Sequence, residues 1–170
     1  PVNHVDSVIC ETAGCPDPHD VANVYEWSAA DPNGLGVDPD PTGNVFTDFL
    51  AKLNDTSQPA AWSSGSSASI GTQTSGCFAD HCNWRLPNIV ELQTILDCSF
   101  GNPCIDPLFG PTASEPGTAV YWSGSTSATN SSLDSNFAWI VLFNSGGVTT
   151  GIAKTDHYFA RAVRAGSCEH

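Results

Sequence analysis

The stretch Trp84-Arg85-Leu86-Pro87-Asn88-Ile89-Val90-Glu91-Leu92 decides how this chain is read. Pro87 disfavours helix in the residue before it, and Asn88 is a strong helix N-cap. Glu91 stands three residues after the cap, where its carboxylate can reach back to the cap N–H and close a capping box. Ile89, Leu92, Ile95 and Leu96 then share one helical face, so the spacing predicts a helix opening at Asn88 and closing at Asp97-Cys98. The run sets the register of its neighbours. It names no reaction.

Upstream, Phe46, Phe49, Leu50 and Leu53 recur at helical spacing, with Asp48 and Lys52 on the wet side, and predict a first helix from Asn44 to Asn54. Before it the chain is rich in proline, which denies helix and central strand alike, and only Val21 to Ser28 reads as strand, with Val24 and Trp27 inward. Downstream, Ala119 to Ser123, Phe137 to Phe143, Val148 to Ile152 and Tyr158 to Val163 read as strands, with Gly146-Gly147 a hairpin turn. Phe137 to Phe143 is apolar nearly throughout, as a central strand would be, with Trp139, Val141 and Phe143 on one face. Helices followed by a strand meander make the class α+β. One domain over residues 1–170 is expected, loop-rich over 1–45, with two helices within 46–112 and a strand meander over 119–164.

Composition narrows the partners. Eighteen acidic residues against five basic ones give a net charge of −13 across 170 residues. That charge repels nucleic acid, sulfated polyanions and anionic lipid. No stretch approaches the ~20 apolar residues of a membrane span, so no direct membrane insertion is expected. The sequence opens without a leader, so an exported protein would be in its mature form.

Seven cysteines are many for a reducing compartment. Cys10 with Cys15, Cys77 with Cys82, and Cys98 with Cys104 lie close in sequence without C-x-x-C or zinc-knuckle spacing. Three local disulfides stapling surface loops are the expectation, and with them an extracellular or cell-surface location. Cys168 is left over: an inert thiol, a partner to one of the other cysteines, or an intermolecular thiol.

Further residues extend the pattern: Cys77-Phe78-Ala79-Asp80-His81-Cys82-Asn83 before the opening run, then Pro103-Cys104-Ile105-Asp106-Pro107-Leu108-Phe109, Tyr121-Trp122-Ser123, Ala138-Trp139, Phe143-Asn144 and Arg161-Ala162-Val163-Arg164. In this order they resemble a bacterial surface-domain family related to the C-terminal domain of the Legionella collagen-like adhesin. The resemblance implies a C-type-lectin-like fold, two helices packed on a mainly antiparallel sheet with long disulfide-stapled loops. It also implies that Trp84, Arg85, Asn88, Glu91, Trp122, Trp139, Arg161 and Arg164 are the family's structural signature. The family's usual first strand has only Val5 to Glu11 in its place here, and the acidic charge does not suit sulfated glycans.

Each candidate chemistry has a plainer alternative. Trp84, Trp122 and Trp139 can stack on sugars, but their patterns favour core packing. Arg85, Arg161 and Arg164 can take a carboxylate, or can serve as structural ties. Asp38, Asp40, Asn44 and Asp48 gather oxygen ligands suited to calcium, or form a solvated turn. Ser127, Asn130, Asp134 and Asn136 lie on a polar loop between two core strands and are the candidate binding loop, against an ordinary surface loop. The five histidines include three beside an aspartate, yet neighbours on a strand face opposite sides, and no nucleophile or phosphate-loop motif occurs. The sequons at Asn54 and Asn130 are short enough to arise by chance.

The sequence therefore predicts no catalytic residue and no enzyme. It predicts a non-enzymatic adhesion or binding module of a bacterial surface, recognising a glycan or protein. The alternative is a globular subunit of an extracellular filament or pilus, bound to identical or companion subunits that supply a strand or an apolar helix. A lectin-fold oxidase is the second alternative.

Overall fold

The computed structural model describes residues 23–30, 40–56, 77–109, 112, 119–127 and 134–166. The bridge expected between Cys10 and Cys15, together with Asp38, Asn130 and Cys168, lies outside them.

Within the described residues the class is α+β, with two short helices and antiparallel sheets. Strand β1 is Tyr25–Glu26. Helix α1 begins as a π-helical stretch, Val45–Leu50, and continues into one α-helical turn, Ala51–Leu53. Helix α2 is Ile89–Gln93. Strands β2 (Val120–Thr126), β3 (Phe137–Leu142) and β4 (Gly147–Ala153) form one antiparallel sheet with β3 central. The two-residue strand β5, His157–Tyr158, pairs not with that sheet but with β1, setting Tyr25 opposite Tyr158.

Alternation along β2 and β3 explains the layering. Val120, Trp122, Ala138 and Ile140 point to one face and meet Tyr25, Trp27 and the α1 residues Val45, Phe49, Leu50 and Leu53. Ala119, Tyr121, Val141 and Phe143 point to the other and meet Leu92 of α2, Ile105 and Phe159. A central strand buried on both faces must be apolar throughout, as Phe137 to Phe143 is.

Several expectations change. The α2 helix ends earlier than its apolar pattern allows. The Asp97 N–H is drawn to the carbonyl of Cys104 (3.1 Å), and the Cys104 N–H to that of Phe143 (2.6 Å), so the chain turns back toward β3. The Cys98–Cys104 bridge closes that turn. Leu92 alone of the expected α2 face is fully buried, while Ile89, Ile95 and Leu96 are partly so. Near β1 the inward pair is Tyr25 and Trp27, with Val24 only partly buried. The expected last strand is broken: after β5, Phe159 bridges Tyr121 in parallel and Val163 bridges Arg85 antiparallel.

Candidate functional site

The opening run is tied down at both ends. At its start, Asn54 at the end of α1 accepts the Trp84 N–H (2.8 Å) and donates to the Trp84 carbonyl (2.9 Å). That amide nitrogen also bonds the Leu50 carbonyl, so the sequon asparagine is committed to structure. Trp84 stacks near Phe78 at 5.4 Å between ring centroids and donates its indole N–H to the Phe78 carbonyl. The Cys77–Cys82 bridge closes the loop that carries Phe78.

At the far end the capping box is complete. The Asn88 side chain accepts the Glu91 N–H (2.9 Å), and Glu91 accepts the Asn88 N–H (2.8 Å). Arg85 grips the same carboxylate with both guanidinium arms, at 2.7 and 2.6 Å. Hydrogen bonds from Arg85 first, and from the Asn88 backbone second, hold the Glu91 carboxyl down at about 2. The Arg85 guanidinium is correspondingly raised by its bond to Glu91.

Beside this pair opens a cleft of about 260 Å³, lined by Pro87, Glu91, Leu92, Thr94 and Ile95 on one side and Phe109, Arg161, Ala162 and Val163 on the other. Arg161 forms part of its floor, donating to the Phe109 carbonyl and the Thr112 hydroxyl and lying over the Tyr121 ring at 5.3 Å. Burial lowers the pKa of its guanidinium. Phe109, which lines the cleft, is 47% exposed, its chain neighbour Leu108 90%, and Val90 on α2 66%. Exposed apolar side chains beside a concave, mainly apolar surface make this a candidate contact cleft.

The other candidates separate. Asn44 lends its side-chain oxygen to the Glu26 N–H (2.6 Å), and Asp48 is paired with Lys52 at 2.8 Å. Asp40 is exposed and its carbonyl accepts the Ser28 hydroxyl. Among the described residues no three His, Cys, Asp or Glu side chains gather as metal ligands would. On the polar loop, Ser127 is buried with its N–H on the Phe137 carbonyl, while Asn136 gives its carbonyl to Lys154. Asp134 and Asn136 form a short 3₁₀ turn before β3. Arg164 is exposed.

Two residues depart from what the sequence suggests. Lys154, which no motif marked, is fully buried with its ammonium 3.9 Å above the Trp27 ring. Only its place after a glycine-bearing strand hinted at anything, since an aromatic face for a buried cation comes from a segment far away in sequence. Trp139, grouped with the core tryptophans, belongs to neither hydrophobic cluster and is half-buried.

The chain matches the Lcl C-terminal domain family over residues 24–164, and so belongs to that family. No curated protein and no solved structure matches it. The matched span runs from β1 to the Val163 bridge, and therefore takes in both hydrophobic clusters and the cleft.

Proposed function

We propose that this domain is a non-enzymatic adhesion module of a bacterial cell surface, built on a C-type-lectin-like fold and binding a glycan or protein. The observation that carries this reading is membership of the Lcl C-terminal domain family over nearly all of the described chain. Disulfide use supports an oxidising, extracellular setting, since Cys77–Cys82 and Cys98–Cys104 both staple surface loops. The same bridges occupy every described cysteine, which speaks against the cysteine-oxidase reading. No described helix is long and apolar enough to cross a membrane.

The cleft rim is the contact surface for a protein partner. Leu108 and Phe109 stand out from a short 3₁₀ turn, Pro107–Phe109, and are exposed beside the cleft. The test is adhesion of the purified chain to immobilised extracellular-matrix proteins and a glycan array, alongside a Leu108→Ser/Phe109→Ser variant. The variant is expected to keep the wild-type melting temperature and to lose adhesion to protein surfaces. Empty arrays and matrices with the wild-type chain overturn the reading.

The second reading, a filament subunit, is favoured by β4, whose outer edge carries no strand among the described residues. Light scattering showing a monomer that neither polymerises nor co-purifies with a partner counts against it.

A further inference from the structure

Four tryptophans lie in the described residues, and three of them are used in the same way. Trp27 donates its indole N–H to the Ser123 carbonyl, Trp84 to the Phe78 carbonyl, and Trp122 to the Tyr25 carbonyl. Trp27 and Trp122 are core members, and Trp84 packs against that core. A buried indole is normally satisfied in this way. Trp139 breaks the rule among the described residues: its indole makes no hydrogen bond and no ring contact, and it joins neither cluster.

Its setting explains why. Trp139 is in the middle strand, yet both flanking strands bulge opposite it. On β2, four steps from Trp122 to Thr126 are matched by only two from Ile140 to Ala138, so Ser123-Gly124-Ser125 are spread across from Trp139. On β4, three steps from Thr149 to Ile152 face two from Ile140 to Ala138, placing Thr150-Gly151 on its other side. Gly151 takes φ +91° and has no atom within 4 Å of the position a Cβ would occupy. Bulges of this kind re-aim side chains and leave backbone unpaired. The bulged flanks are short hydroxyl residues and glycine.

The geometry points to Trp139 as a stacking platform for a neutral pyranose. The apolar face of a hexose fits an indole face, and the indole N–H, which makes no hydrogen bond within the described residues, suits a ligand rich in hydroxyl groups. The net charge of −13 disfavours sulfated or uronic-acid sugars against an uncharged one. This rests on the binding-module reading above and specifies its glycan arm.

The test uses the full chain labelled with 5-fluorotryptophan and followed by ¹⁹F NMR, with the Trp139 resonance assigned from Trp139→Phe. Methyl β-D-glucopyranoside and methyl β-D-galactopyranoside are titrated into the millimolar range, with D-glucuronate as the charged control. The Trp139 resonance is expected to shift with the two glycosides and not with glucuronate, while the Trp27, Trp84 and Trp122 resonances stay in place. Trp139→Ala should weaken glycoside binding about tenfold or more, and Trp139→Phe, which keeps a ring, by less. The titration is read on the labelled wild-type chain, so misfolding of the alanine variant does not decide the matter. An unmoved Trp139 resonance, or equal binding by Trp139→Ala, overturns the platform. A shift produced by a polyproline peptide and not by the glycosides overturns the sugar assignment. Adhesion that persists with Trp139 silent leaves the adhesion reading standing and removes only this inference.

Discussion

Glu91 serves three neighbours at once: it caps α2, holds Arg85, and lines the cleft. Because its folded-state pKa, about 2, lies below the ordinary 4.5, the ionised form stabilises the fold. That contribution is present above about pH 4.5 and is lost as pH falls toward 2. Glu91→Gln should therefore flatten the acid side of the stability profile in that window, measured by urea unfolding at stepped pH. The pair is surface-exposed, so added salt should shrink the difference. Asn88→Ala removes the other half of the box and should cost about 1 kcal/mol, or about 2–4 °C in the melting midpoint. These two residues were legible in sequence because a capping box is local: cap and partner are three residues apart. Lys154 was not legible, because what makes its burial tolerable, the Trp27 ring, comes from the other end of the domain.

Among the elements, the loop Cys98–Cys104 is the most constrained. It delivers Cys104 to the end of β3, and Gly146 in the β3–β4 turn packs directly against the bridge. A Cβ on Gly146 would stand 2.6 Å from the Cys98 sulfur, which the disulfide prevents from swinging aside, and φ there is +70°. Gly146→Ala should cost about 2–4 kcal/mol, combining left-handed strain with overpacking. Gly101→Ala, at φ +94° and ψ −140° but with open space around it, should cost only the backbone strain, about 1–3 kcal/mol. Thermal melts of the two variants check the contrast. The α1 stripe and the β3–β4 hairpin could be read directly, since their periodicity spans enough residues to repeat. The early stop of α2 could not, because a disulfide loop overrides an apolar pattern that otherwise continues to Leu96. The bulges beside Trp139 were equally hidden: strict alternation assigns it to the face of Val141 and Phe143, and only the register shifts of both neighbouring strands uncover it.

At the scale of the whole molecule, one three-stranded sheet carries a packed core on each face, and the two cores share Val120 to Trp122 and Ala138 to Phe143 as their common wall. The faces therefore cannot melt independently, and a single cooperative transition follows. The α+β class was readable from element order. The pairing of β1 with β5 was not, since two-residue strands are too short to show alternation and nothing local names a partner so distant. For the same reason nothing in the sequence marks Tyr25 as a core residue, although it is only 2% exposed.

That pairing has a consequence for how the chain reaches its fold. The first described strand pairs with the last, so this ladder closes the largest loop, and the entropy of that closure is recovered only when the ladder forms. A chain emerging from synthesis or an export channel stays incomplete until His157 and Tyr158 are free to pair. Truncation should then be all-or-none. A chain ending at Thr155 lacks β5, Phe159 and Arg161, and should show no near-ultraviolet circular dichroism melt and rapid proteolysis. One ending at Gly166 should melt sharply. A graded loss between the two lengths would mean that the domain can be assembled piecemeal, which a fold closed by its first and last described strands does not allow.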